Sequence, residues 1–174
     1  MEASLRAGIR DVPDFPSPGI VFKDISPLLA NAPLFRRATD VMAETWRPVP
    51  IDMVVAIESR GFLFGAPLAQ VLGVGLVPIR KKGKLPFRTC IEDYALEYGT
   101  GSLEIHIDAI KPGATALIVD DVLATGGTAA AACRLVERLG GRVAGCSFLI
   151  ALTFLPGRQT LAGRRVEAIL DYES

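Results

Sequence analysis

Residues 116–139 confine this chain to a narrow set of folds. Ala116-Leu117-Ile118-Val119 is continuously apolar, as a strand covered on both faces must be, and it ends in two adjacent carboxylates, Asp120 and Asp121. Val122 to Thr125 then lead to Gly126-Gly127-Thr128, and Ala129 to Leu139 carry alanines and apolar residues at helical spacing until Gly140-Gly141 stop the helix. A buried strand, a glycine turn and a helix in that order form half of a β-α-β unit, from which parallel sheets are built. The same order puts acids, backbone amides and hydroxyls at the C-terminal edge of a strand, where open α/β sheets bind ligands.

Each part has a chemistry of its own. Gly126 and Gly127 free the backbone to approach a ligand closely. Amides that feed a helix N-terminus cradle phosphate. Asp120 and Asp121 repel a phosphate unless a cation lies between, so their natural partners are sugar hydroxyls, met directly or through a hydrated metal. Together the set suits a sugar phosphate. The plainer alternative is a helix capped by Thr125 or Thr128, and the two acids immediately upstream weigh against it. Other phosphate loops fit poorly. Gly127 is followed directly by Thr128, without the Lys-Ser/Thr ending of a triphosphatase loop, and no Gly-x-Gly-x-x-Gly opens the helix.

The remaining pattern repeats the alternation. Helices are expected over Leu5–Arg10, Pro33–Trp46 and Gly61–Leu72. Strands are expected over Asp52–Ile57, Gly75–Ile79, Ala95–Tyr98, Leu103–Ile107, Arg142–Leu152 and Val166–Leu170, with Pro13–Pro18 extended or turning. The fold class is therefore α/β, a mainly parallel central sheet flanked by helices, in a single domain of 174 residues. Nineteen basic against nineteen acidic residues leave no net charge, so neither nucleic acid nor a membrane surface is an expected partner. The longest apolar stretch, Val143 to Leu155, falls short of the roughly twenty residues that span a bilayer. The charged start of the chain (Glu2, Arg6, Arg10, Asp11) is unlike a secretory leader. Cys90, Cys133 and Cys146 lack metal-ligand spacing and read as free thiols of a cytoplasmic protein.

Three further clusters carry chemistry. Glu58-Ser59-Arg60-Gly61 sets a hydroxyl, a guanidinium and a helix start at a second strand end, enough to hold an anion, although a capping serine beside a surface arginine would look the same. Arg80, Lys81, Lys82 and Lys84 form a basic run that is a solvated loop by default and a polyanion contact beside such a site. Thr89 to Ser102 is polar and ends in Gly99-Thr100-Gly101, as a water-excluding lid or an idle hairpin would. His106, the single histidine, reads as a surface or core residue.

Val119 to Thr128 resemble the phosphoribosyl pyrophosphate (PRPP) signature of the type I phosphoribosyltransferases. Pro13–Pro27, Glu58–Phe62, Arg80–Pro86 and Leu96–Gly99 are similar to the adenine-specific branch of that family, and they occur in its order. The resemblance implies a small N-terminal hood from about residues 1–30, a flexible catalytic loop and a homodimer. It implies transfer of phosphoribose from PRPP to adenine with Mg²⁺, giving AMP and pyrophosphate. In that pattern Glu97 and Tyr98 are catalytic. Asp120, Asp121, Ala124, Thr125, Gly126, Gly127 and Thr128 hold the ribose and its 5-phosphate. Ser59, Arg60, Arg80, Lys81 and Lys84 hold pyrophosphate, with Lys84 a candidate to reach across the dimer, and Val21, Phe22 and Lys23 hold adenine. No protein ligand to the metal is implied, since it binds through substrate and water. A cis peptide is implied at Glu58–Ser59. The chain departs from the pattern at Lys23, where arginine is common, at Ala151, where glutamate is common, and over Pro86–Cys90. The rival readings are transfer to an oxopurine and a non-catalytic PRPP sensor.

Overall fold

The computed structural model describes residues 2–95 and 100–174. Its elements are α1 (Glu2–Arg6), β1 (Arg10–Pro13), β2 (Val21–Asp24), α2 (Ser26–Ala30), α3 (Ala32–Trp46), β3 (Met53–Ile57), α4 (Gly61–Leu72), β4 (Gly75–Lys81), β5 (Thr89–Ala95), β6 (Thr100–His106), β7 (Thr115–Leu123), α5 (Gly127–Arg138), β8 (Arg142–Leu152), α6 (Gly157–Thr160) and β9 (Val166–Tyr172). Seven strands form one sheet in the order β5-β6-β4-β3-β7-β8-β9. β4, β3, β7, β8 and β9 run parallel, while the β5–β6 hairpin joins antiparallel at Arg80–Lys81.

Alternation along the central strands builds two cores. Val55 and Ile57 of β3 and Ala116 and Ile118 of β7 pack with α5, whereas Val54, Leu117 and Val119 pack with α3 and α4 on the other face. Gly65 lets α4 settle on the sheet, because a Cβ there would lie 2.5 Å from that of Ala56. β3 passes through α4 to β4 on one side, and β7 passes through α5 to β8 on the other. The winding therefore reverses between β3 and β7. At such a point the two connecting turns part and leave a crevice at the strand ends.

β1 and β2 form a separate antiparallel ribbon, paired from Arg10↔Asp24 to Pro13↔Val21. Their connection holds a cis Phe15–Pro16 bond and Gly19 at φ +88°, whose amide donates to Asp14 Oδ1 at 2.8 Å. Among the described residues a second cis bond is Glu58–Ser59, where the resemblance implied it.

Several boundaries differ from expectation. The first helix covers Glu2–Arg6, and residues from Arg10 are drawn into the β1 ladder. The strand expected over Ala95–Tyr98 lies, beyond Ala95, outside the described residues; the described strand before it is Thr89–Ala95, at the open edge of the sheet, where polar side chains gave no strand signal. β4 continues to Lys81 and β7 to Leu123, so Asp120 and Asp121 belong to the strand and do not follow it. The short helices α2 and α6 were not expected, and Ala151 is core within β8.

Candidate active site

A cavity of about 560 Å³ opens at the switch point. Val21, Phe22 and Lys23 close it from the β1–β2 ribbon, Glu58, Ser59 and Arg60 from the β3–α4 turn, and Asp120, Asp121, Ala124 and Thr128 from β7 and its turn. A smaller recess of about 70 Å³ continues among Ala124, Thr125, Gly126 and Thr128. Lys81 and Tyr94 also line the main cavity, whereas Gly127, Arg80 and Lys84 line neither.

Two helices begin here, and glycine makes the meeting possible. Gly126 takes φ +84° and precedes α5 without a side-chain cap, so neither Thr125 nor Thr128 starts this helix in the manner of an ordinary capped one. The first α5 amides are left for an incoming acceptor. α4 likewise starts at Gly61 with no side-chain cap from Arg60. A Cβ at Gly61 would lie 2.8 Å from Val119 O and 2.9 Å from Asp120 Oδ1, so no other residue lets the α4 turn approach β7 this closely. The glycine turn rests on α6: Thr160 Oγ1 donates to Thr125 O at 2.7 Å, and a Cβ at Gly126 would lie 2.8 Å from Gly157 O. Gly157 and Thr160 escaped the sequence reading. A Pro156-Gly157 pair marks a turn and nothing more.

The acids are desolvated. Burial and the neighbouring Asp121 charge hold the Asp120 carboxyl well above the usual carboxylate range, and its Oδ1 accepts from the Asp121 amide at 2.9 Å. Burial also raises Asp121, against the pull of Arg60. Arg60 Nε stands 2.6 Å from Asp121 Oδ2, yet that oxygen accepts no well-aligned hydrogen bond, so the contact is chiefly charge on charge. The same guanidinium lies 5.1 Å from the Phe22 ring centroid, joining the ribbon to β7.

Glu58 organises the basic run. Its carboxylate accepts from Arg80 Nε at 3.2 Å, from the Lys81 amide at 2.9 Å, and from Lys84 Nζ. Burial would raise Glu58, but Lys84, the Lys81 amide and Arg80 outweigh it and the carboxyl falls below its ordinary value. Glu104, not foreseen from sequence, is buried and accepts the Lys84 and Leu85 amides at 2.8 Å each. Those amides, with that of Gly83 and the Thr89 hydroxyl, overcome burial and lower its pKa as well.

Glu97 and Tyr98 lie outside the described residues. The strand before them, β5, is anchored to α5: Glu92 pairs with Arg134 at 2.5 Å and with Arg138, and Arg138 Nη1 donates to Ile91 O at 2.7 Å. His106 sits on that hairpin, its Nε2 accepting from the Phe87 amide at 3.3 Å, away from the cavity. Among the described residues no His, Cys, Asp or Glu group of three could by itself hold a metal ion.

Comparison with known proteins fits this geometry. Residues 26–160 match the model of the phosphoribosyl transferase domain family. The chain is 54% identical over 172 residues to an adenine phosphoribosyltransferase of Anaeromyxobacter dehalogenans, covering 99% of this chain and 100% of that one. It superposes with a TM-score of 0.97 on an adenine phosphoribosyltransferase of Thermoanaerobacter pseudethanolicus, at 49% identity over 99% of this chain and 100% of the other. A Saccharomyces cerevisiae adenine phosphoribosyltransferase, solved with an imino-altritol bisphosphate and adenine, is similar at TM-score 0.92 and 43% identity, with 97% and 98% covered.

Proposed function

The chain belongs to the phosphoribosyl transferase family and, within it, to the adenine phosphoribosyltransferases, and from that premise we propose which of its residues do the work. The activity is that of a pentosyltransferase of purine salvage, which makes AMP from adenine. The phosphoribosyl donor in our reading is PRPP. The observation that carries the reading is the meeting of two uncapped helix starts and two desolvated acids at one switch point.

Asp120 and Asp121 accept hydrogen bonds from the ribose 2- and 3-hydroxyls. The Ala124–Thr128 turn and the α5 amides hold the 5-phosphate, and Ser59, Arg60, Arg80, Lys81 and Lys84 take the pyrophosphate. Arg60, Arg80 and Lys84 would exchange their acid partners Asp121 and Glu58 for substrate oxygens. Val21 and Lys23 read the adenine edge through their backbones while Phe22 meets the ring. Held in this way, N9 of adenine faces C1 of the ribose, and C–N bond formation accompanies loss of pyrophosphate through an oxocarbenium-like state. Much of the rate comes from positioning and from preorganised positive charge at the leaving group. Glu97 moves the base proton, with Tyr98 beside it; both assignments rest on the resemblance of Leu96–Gly99.

The donor set suits Mg²⁺. Desolvated Asp120 and Asp121, whose Oδ2 meets Arg60 by charge but accepts no aligned hydrogen bond, would face a cation carried by substrate and water, and Mg²⁺ keeps several of its waters when it binds phosphates. Once bound, the ion supplies charge neutralisation at pyrophosphate.

The ribbon and its flanks, about residues 1–30, are the hood within a single domain. A homodimer is implied by the resemblance, and exposed Leu63 and Val71 of α4 and Leu76 of β4 are apolar surface that such an interface would cover. Free Cys90, Cys133 and Cys146 suit a cytoplasmic setting. The test is AMP formation from PRPP and Mg²⁺ with adenine, beside hypoxanthine and guanine. Turnover of adenine alone upholds the reading. Turnover of an oxopurine moves the base assignment away from Val21–Lys23, and PRPP binding without turnover makes the protein a sensor.

A further inference from the structure

Tyr172 stands far from the hood in sequence and touches it in space. A two-stranded ribbon is marginal on its own, so β1–β2 needs anchoring to the body. Successive side chains leave a strand on opposite faces. Phe22 turns to Arg60, and Lys23 sends its ammonium the other way, where its side chain is 7% exposed. A buried ammonium needs compensation. Lys23 Nζ finds it 3.0 Å from Asp11 Oδ1 and 4.6 Å from the centroid of the Tyr172 ring.

The residue itself is fixed. The Tyr172 carbonyl accepts from the Thr153 amide at 2.8 Å and from its hydroxyl at 3.1 Å, and the residue pairs with Leu152, a wall of the main cavity. The Arg6 guanidinium also lies on the ring, 4.5 Å from its centroid, while Arg6 Nη2 donates to Asp171 O at 3.0 Å.

We propose that Tyr172 is a positioning residue for the purine: its ring, held by the β8–β9 ladder, sets the height and register of the Val21–Lys23 segment over the cavity through its contact with the Lys23 ammonium. This rests on the assignment of Val21–Lys23 to the base. Positive charge is drawn to the negative face of an aromatic ring, so the contact weakens as fluorine withdraws electron density, at little cost in volume.

The experiment places phenylalanine, then mono-, di- and trifluorophenylalanine, at position 172 of the full chain and measures KM for adenine and for PRPP separately. Tyr172→Phe keeps the ring and is expected to remain close to the natural enzyme. The fluorinated series is expected to raise the adenine KM stepwise to about fivefold, the scale of a partly buried cation–aromatic contact. The KM for PRPP and kcat stay within about twofold. An adenine KM that does not follow fluorination, or a PRPP KM that rises in step with it, overturns the proposal. Phe22→Leu, measured alongside, separates the two assignments. A raised adenine KM there beside a flat series refutes Tyr172 alone, and an unchanged one refutes the base assignment together with it.

Discussion

Gly157→Ala separates support of the phosphate turn from contact with substrate. Gly157 does not line the main cavity, and its φ is not in the left-handed region, so an added methyl tests space alone. That methyl would overlap the Ala124 carbonyl oxygen and stand 2.8 Å from Leu123 Cγ. Carbon atoms rest at about 3.5–4.0 Å, so something must yield by roughly 0.7–1.2 Å. Leu123 belongs to the sheet core, and the softer element is the Ala124–Thr128 turn. Overpacking of this kind costs about 1–3 kcal/mol. For a chain of this size each kcal/mol lowers Tm by roughly 2–4 °C, so a fall of about 2–12 °C is expected. Displacing a binding group by about 1 Å costs up to ~10²-fold in rate. Steady-state kinetics should therefore show kcat/KM for PRPP reduced by about one to two decades, with the adenine KM much less affected. An unchanged PRPP KM at an unchanged Tm would mean that α6 does not shape the turn. A lowered Tm with normal PRPP kinetics would mean that it supports the fold only.

Other outcomes follow from the charges. Glu92→Gln, which removes the anion shared by Arg134 and Arg138, should lower kcat about tenfold with little change in KM for PRPP, because the hairpin flanking residues 96–99 loses its hold on α5; an unchanged kcat refutes that coupling. Glu58 and Glu104 both ionise below the ordinary value of 4.5, so their stabilisation is complete above it and is lost as pH falls through their folded-state values. Thermal melts should drop steeply below about pH 4.5, and Glu104→Gln should flatten that drop. Asp120 is shifted upward, so its ionisation opposes folding as pH rises and its proton is easily displaced by a ligand that prefers the carboxylate. Titration calorimetry of PRPP in two buffers of different ionisation enthalpy should report proton release that grows as pH is lowered toward that value; a buffer-independent heat refutes it.

Elements with a buried periodicity were legible in the sequence. α4 and β8 fall on their expected boundaries because a helix pressed on a sheet and a central strand cannot hide their apolar pattern. β1 and the Thr89–Tyr94 part of β5 were missed because polar side chains there carry no strand signal. The acids, the glycine turn and the Ser59–Arg60 pair were visible as local words. Glu104, Gly157 and Thr160 were not, since each acts on a segment 19 or more residues away and declares itself only when β6 meets the basic loop or α6 meets the turn.

The pairing of Arg60, Arg80, Lys84 and Lys23 with acids of the same chain has an effect at long range. Arg60 with Asp121, Arg80 and Lys84 with Glu58, and Lys23 with Asp11 are close dipoles whose potentials fade within a few ångströms of the surface, on a molecule whose whole charge sums to zero. Such a protein offers little pull across a Debye length of about 8 Å. On the proposed function, little long-range attraction to nucleic acids or anionic membranes is expected, although the site would hold a polyphosphate. Capture is deferred to contact, where only an anion small enough to enter the crevice can trade places with the resident carboxylates. On that reading, discrimination among polyanions would come from reach, before any hydrogen bond is formed.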